Sequence, residues 1–223
     1  MKRDDRVKKL KSNKLYVITG QSFSKGRSLS SVVKAALEGG AGIIQLREKR
    51  MTGRELVEAG LAVRELTRES GALFIVNDRL DIALAVGADG VHLGQDDMPL
   101  EVARRVAGPD MIIGISTHSL DQAIEAERGG ADYIGVGPLF ETRSKEDICA
   151  PVGLDLLREV SAGVRIPKVG IGGVKDHNVG SVMEAGADMV AVITAVVAAP
   201  DVAGAARNLI NRINSAINDG QLT

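Results

Sequence analysis

Gln45, Arg47 and Lys49 stand two residues apart in the stretch GIIQLREKR, positions 42–50. In an extended strand, side chains alternate between faces, so these three share one face. Arginine offers a planar fork for phosphate oxygens and lysine a compact charge. Either cation alone reads as a snorkelling or surface side chain. Gln-x-Arg-x-Lys at the end of an apolar strand reads instead as an anion site.

Carboxylates follow at the next two apolar runs. VNDR carries Asn77 and Asp78, and GVHLGQDDMP carries Gln95, Asp96 and Asp97. Asp78 and Asp97 would end neighbouring strands, about 4.8 Å apart in a sheet. Carboxylates that close repel unless a cation lies between them. A hard metal held by one or two carboxylates, with water or substrate phosphate completing its shell, describes Mg2+. The competing reading makes Asp78 the cap of RLDIALAVG and Asp97 the cap of PLEVARRVA. The sequence leaves open which of Asp96 and Asp97 turns inward.

Further polar groups fall at later strand ends. GISTHS offers Ser116, and GPLFETRSKEDICAPVG offers Thr142, Ser144 and a third cation, Lys145. GIGG, with Gly173, and VIT, with Ile193 and Thr194, lie where barrels bind phosphate through backbone N–H groups. No Ser-His-Asp set and no His-rich metal spacing occurs, and Cys149 has no evident base partner. His92, beside Val91 and Leu93, reads as a hydrogen-bonded core or rim residue. His118 reads as a neighbour of a helix cap and His177 as exposed. A site without an activated nucleophile suits stabilisation of a leaving diphosphate by electrostatics and metal.

The elements that must position these groups come from a repeated unit. EGGAGIIQL, AVGADGVHL, RGGADYIGV and EAGADMVAV each read as a helix end, a glycine, then a short apolar strand. Between them lie helical patterns such as SLSSVVKAALEGG, and a stripe of Leu56, Ala59, Val63 and Leu66. The strands read as Leu15–Thr19, Ile43–Arg47, Leu73–Asn77, Gly90–Leu93, Met111–Ser116, Tyr133–Gly137, Lys168–Gly172 and Met189–Ile193. Eight strands, each followed by a helical segment, predict an α/β fold, a single (β/α)8 TIM barrel. Its active site would form at the C-terminal strand ends, where the polar residues concentrate. Residues 1–13 form a polar N-terminal extension, read as a solvated helix or frayed tail, and residues 14–223 form the barrel.

Bulk composition narrows the function classes. The chain has 223 residues, 44 % of them hydrophobic, enough for one large core. A net charge of -1, aromatics at 2 % and no tryptophan argue against nucleic acid as a partner. No apolar run approaches a membrane span, and the N-terminus is too polar for a signal peptide. A single cysteine permits no intrachain disulfide and points to the cytoplasm. Small molecules are the expected partners, and the choice between monomer and homo-oligomer stays open.

Taken together, QLREK, VNDR, GVHLGQDD, GISTHS, IGVGPLFETRSK, APVG and IGG resemble the thiamine-phosphate synthase family. The resemblance runs in order from about Leu15 to the C-terminal helix. It implies a barrel enzyme that joins hydroxymethylpyrimidine diphosphate to hydroxyethylthiazole phosphate, or to its carboxylated form, giving thiamine phosphate and diphosphate. It also implies a dissociative reaction, in which the C–O bond breaks first and the thiazole nitrogen captures the pyrimidine cation.

Residue by residue, the resemblance assigns Gln45, Leu46, Arg47, Glu48, Lys49 and Asn77 to the pyrimidine diphosphate. Asp78 and Asp97 take Mg2+, which selects Asp97 over Asp96 by analogy. Ser116 and Lys145 contact the diphosphate. Thr142, Arg143, Ser144, Gly173, Ile193 and Thr194 hold the thiazole phosphate. Arg47, Lys49, Ser116 and Lys145 are the catalytic set. Where the family loop commonly reads Pro-Thr-x-Thr-Lys, this chain has Glu141-Thr142-Arg143-Ser144-Lys145, and Thr194 stands for a frequent serine.

Two alternatives share the barrel. Thiazole tautomerases have a similar Phe-Glu-Thr loop and a histidine placed like His118, but no need of Arg47, Lys49, Asp78 and Asp97. A non-catalytic sensor of thiamine phosphates would show a degraded metal or diphosphate site.

Overall fold

The computed structural model describes residues 1–142 and 150–220. The chain runs α1 (Arg3–Ser12), β1 (Leu15–Ile18), α2 (Leu29–Glu38), β2 (Ile43–Leu46), α3 (Gly53–Ser70), β3 (Leu73–Asn77), α4 (Leu80–Ala85), β4 (Gly90–Leu93) and α5 (Leu100–Ala107). It continues β5 (Ile112–Thr117), α6 (Leu120–Arg128), β6 (Tyr133–Val136), α7 (Gly153–Gly163), β7 (Lys168–Ile171), α8 (Val179–Glu184), β8 (Met189–Val192), α9 (Thr194–Val197) and α10 (Val202–Gly220). A 3-10 turn, Gln21–Phe23, follows β1. The strands close into a barrel in chain order, every neighbouring pair parallel, with β8 returning to β1. The expected eight-stranded α/β barrel is therefore present, and no described helix is long and apolar enough to cross a membrane.

Observed strands differ from the expected ones by at most one residue at either end. Thr19, Arg47, Gly137, Gly172 and Ile193 leave the ladder, because the chain is already turning over the rim there. In α3 the buried stripe is Leu56, Gly60, Val63 and Thr67, one step round from the expected one, with Ala59 and Leu66 only half-buried. Gly60 is needed where Val86 packs, since a Cβ there would meet it at 2.8 Å. Thr67 buries its hydroxyl without penalty by donating to the Val63 carbonyl. The helix starts in a capping box between Thr52 and Glu55.

Strand alternation divides the apolar side chains into two shells. Leu15, Val17, Ile44, Leu46, Phe74, Val76 and Val91 face the helices. Tyr16, Ile18, Ile43, Leu73, Ile75, Ile112, Tyr133, Val169 and Met189 fill the barrel interior.

The repeated Ala-Asp step has a structural role at the N-terminal strand ends. Asp89, Asp132 and Asp188 each accept a backbone N–H from the preceding strand, from Phe74, Ile113 and Lys168 respectively. Each carboxylate is neutralised by cations: Asp89 by Arg6 and Arg64, Asp132 by Arg3 and Arg104, Asp188 by Lys168. The equivalent position before β2 is Gly42, and the Asn13 amide occupies the space its Cβ would take.

Residues 3–12 form a helix, one of the two states expected of residues 1–13, but it is docked on the barrel and not free in solvent. Arg3 and Arg6 tie it to the two buried aspartates, and Leu10, fully buried, joins the interior cluster of the barrel. It closes the barrel at the end opposite the polar rim.

Candidate active site

A cavity of about 430 Å³ opens at the C-terminal ends of the strands. Of the residues singled out in the sequence, Gln45, Arg47, Lys49, Asn77, Asp78, Asp97, Ser116, Thr142 and Ile193 line it. Exposure is graded along β2 and its exit: Gln45 is buried, Arg47 half-buried and Lys49 exposed. The three climb from the interior to the rim, as their spacing predicted.

The aspartates are not helix caps. The N-cap residues of the helices after them are Arg79 and Pro99, neither making a side-chain capping bond. Asp78 sits instead in the left-handed region, φ 60°, which aspartate tolerates better than most residues. Its N–H donates to the His92 carbonyl at 2.8 Å, pinning the end of β3 to β4. Asp97 accepts the Gly94 N–H at 2.6 Å and so folds the loop after β4 back on itself. That fold brings Asp97, half-buried, against Asp78 and leaves Asp96 exposed on the cavity wall. Burial, then the Asp97 carboxylate, pushes the Asp78 carboxyl up to about 6, while Lys49 and Arg47 pull the other way. Two carboxylates with two cations in electrostatic reach thus share one side of the cavity.

Other expected residues lie elsewhere. Leu46 is buried in the outer shell, against the helices. Glu48 does not line the cavity; both its carboxylate oxygens accept the Gln21 N–H, at 3.0 and 3.1 Å. With the bond from the Arg47 N–H to the Thr19 hydroxyl, this ties the exit of β2 to the exit of β1. Gly173, φ 66°, lets the turn after β7 approach the loop after β6, where a Cβ would stand 2.6 Å from the Glu141 carbonyl. Thr194 opens α9, and neither it nor Gly173 lines the cavity. Arg143, Ser144, Lys145 and Cys149 lie outside the described residues.

The cavity floor holds residues that spacing alone did not single out. Tyr16 and Tyr133, the only tyrosines in the chain, face each other across the barrel with their hydroxyls 3.0 Å apart. The Gln45 amide donates to the Tyr16 hydroxyl at 2.7 Å. His92 bridges Tyr133, at 3.1 Å from Nδ1, and Ser116, at 2.9 Å from Nε2. Burial raises both phenol pKa values, so both hydroxyls stay protonated. Gly114 makes this possible, because a Cβ there would lie 2.1 Å from the Tyr133 ring. His118 and Gln122 also line the cavity, with the His118 ring bonded to the Gly137 carbonyl and its N–H donated to Gln122. His177 is exposed, as expected. The signal of Tyr16, His92 and Tyr133 in the sequence was a polar-tipped side chain at an inward strand position.

Comparison with known proteins decides the family. The family model described as thiamine monophosphate synthase matches residues 15–196. The chain belongs to the thiamine monophosphate synthase family. Membership makes it an enzyme, a transferase of thiamine biosynthesis. It is 56 % identical over 195 residues to the thiamine-phosphate synthase of Moorella thermoacetica, covering 87 % of this chain and 93 % of that one. The Chloroflexus aurantiacus thiamine-phosphate synthase is 53 % identical over 196 residues, covering 88 % and 90 %. A solved thiamine phosphate pyrophosphorylase from Pyrococcus furiosus superposes with a TM-score of 0.86 at 45 % identity, covering 93 % of this chain and 99 % of that one. The sequence resemblance to this family is thus borne out.

Proposed function

We propose that this family member joins hydroxymethylpyrimidine diphosphate to hydroxyethylthiazole phosphate, or its carboxylated form, releasing diphosphate. The observation that carries the reading is that Arg47 and Lys49 line the same cavity as Asp78 and Asp97 and lie within electrostatic reach of Asp78. A diphosphate needs cations from the protein, and a carboxylate pair of this kind needs a cation of its own.

Mg2+ fits the donor set. Asp78 keeps its proton up to about pH 6, a cation there would take that proton's place, and both ligands are hard oxygens. Among the described residues no cluster of three or more metal-ligating side chains occurs, so water and substrate oxygens would complete the shell. Bound there, the ion would neutralise charge developing on the leaving diphosphate.

The chain's own residues do the rest. Arg47 and Lys49 grip the diphosphate as the C–O bond breaks and the electron pair leaves with it. Ser116 donates a hydrogen bond to the same group, and Lys145 is assigned to it by resemblance. Gln45 and Asn77 orient the pyrimidine. The thiazole nitrogen then forms the C–N bond with its lone pair. Thr142, Arg143, Ser144, Gly173, Ile193 and Thr194 are assigned to the thiazole phosphate. A single cysteine and the absence of a membrane-crossing helix among the described residues support a cytoplasmic enzyme.

The deciding experiment incubates the protein with both substrates, with Mg2+ and with EDTA, and measures diphosphate release. Release with Mg2+ alone is expected. Full activity in EDTA would refute the metal, and isomerisation of the carboxylated thiazole without diphosphate release would select the tautomerase reading instead.

A further inference from the structure

The floor of the cavity carries five polar groups in one unbroken series: Gln45, Tyr16, Tyr133, His92 and Ser116. Both tyrosines are 1 % exposed or less, so each hydroxyl proton needs an acceptor inside the protein. That requirement, with the Gln45 amide nitrogen turned towards Tyr16, sets the direction of the series. An amide N–H can only donate, so the Tyr16 oxygen accepts from Gln45. If the remaining bonds ran from Ser116 towards Tyr16, the Tyr16 oxygen would take a second donor from Tyr133. Its own proton would then have no acceptor among the described hydrogen bonds.

The opposite direction leaves no such orphan. Tyr16 O–H donates to Tyr133, Tyr133 O–H donates to His92 Nδ1, and His92 carries its proton on Nε2 and donates to Ser116 Oγ. The Ser116 oxygen is then already an acceptor, and its own proton is released towards the cavity. Bonds aligned head to tail also polarise one another, which strengthens the terminal donor.

We infer that Tyr16, Tyr133 and His92 are positioning residues that hold the Ser116 hydroxyl as a hydrogen-bond donor to an anionic substrate group. The inference rests on the reading above, in which that group is the diphosphate. It gives buried residues that need not touch the phosphates a defined role in diphosphate release. It also explains why Gly114 and Gly135 face this series: a Cβ at Gly135 would meet the His92 ring at 3.3 Å, and one at Gly114 would exclude the Tyr133 ring.

Two measurements test it together. The chain has three histidines, so 15N spectra of the neutral imidazoles, assigned with a His92→Gln variant, report the His92 tautomer directly. The Nε2–H form is expected; the Nδ1–H form would overturn the inference. In steady-state kinetics, Ser116→Ala and Tyr133→Phe should each lower kcat/KM for the pyrimidine diphosphate about ten- to hundred-fold, the scale of one charge-assisted hydrogen bond. The double variant should be no worse than Ser116→Ala alone, because both cut the same series. Additive losses would overturn it. Tyr16→Phe gives the same cycle from the far side of the barrel should Tyr133→Phe fold poorly. A wild-type protein that released no diphosphate would refute the reading itself, a result distinct from an active enzyme with additive losses.

Discussion

Asp78 and Asp97, which leave the ends of β3 and β4, meet closely enough to share a proton. Neither caps a helix, although each precedes one. Left-handed backbone at Asp78 and the Gly94 contact of Asp97 bring the two together. A folded protein does not hold two carboxylates so close for stability, because like charges cost free energy unless one is protonated or a cation intervenes. The relationship is a stored cost, and it has a measurable sign.

Asp78 titrates at about 6 in the folded protein and at 3.8 when unperturbed. Between those values the folded state binds more protons than the unfolded one. Stability of the metal-free protein should therefore fall as pH rises from about 4 to about 6. Asp78→Asn should remove that slope and stabilise the metal-free protein at pH 7 by about 1 kcal/mol, a figure held down by solvent screening of a half-buried group. The same variant should lose activity. Urea midpoints across this pH range in EDTA check it; an unchanged slope in the variant would assign the effect elsewhere.

Arg47→Ala should weaken the pyrimidine diphosphate far more than the thiazole phosphate. One charge-assisted hydrogen bond is worth roughly 1.5–3 kcal/mol, about ten- to hundred-fold in affinity. Isothermal titration with each substrate separates the two. Equal weakening of both would place Arg47 between the substrates and not on the diphosphate.

Glu48→Ala should act through loop position. The carboxylate holds the Gln21 N–H, and with the Thr19–Arg47 bond it joins the exits of β1 and β2. Loss of that tie should raise KM for the pyrimidine diphosphate several-fold, and Glu48→Gln, which keeps one acceptor oxygen, should recover most of it. A residue contacting substrate through its charge would show no such recovery, so the Gln variant decides between the two roles.

These residues also show what the sequence could carry. The barrel was legible because its unit repeats and each strand is short, apolar and followed by a helical stripe. Gln45, Arg47 and Lys49 were legible because the alternation of β2 continues past its last residue, Leu46, and keeps all three on the cavity side. The same alternation turns Glu48 away from the cavity, and its bond to Gln21, a partner 27 positions away, could not be read from spacing. Asp96 and Asp97 could not be separated by spacing, because the loop fold that exposes one and turns the other towards Asp78 depends on the Gly94 contact. Tyr16 and Tyr133 are 117 positions apart, and only closure of the barrel brings their hydroxyls together.

The N-terminal arm is the sharpest departure, and it gives the last prediction. Of the ten residues in α1 only Leu10 is buried, so the segment has almost no amphipathic pattern and reads as solvent-exposed. Its burial comes from the end of the barrel, where Leu10 packs with the interior cluster while Arg3 and Arg6 engage Asp132 and Asp89. Removing a buried leucine side chain typically costs about 2–5 kcal/mol, because a cavity is left where the surroundings cannot close. Leu10→Ala should therefore lower the thermal midpoint by several degrees without changing KM for either substrate, since α1 closes the barrel end remote from the cavity. Arg3 is more than a third exposed, so Arg3→Ala should cost less than the leucine substitution. Thermal unfolding of both variants beside the parent checks the ranking. A frayed arm would leave both midpoints unmoved.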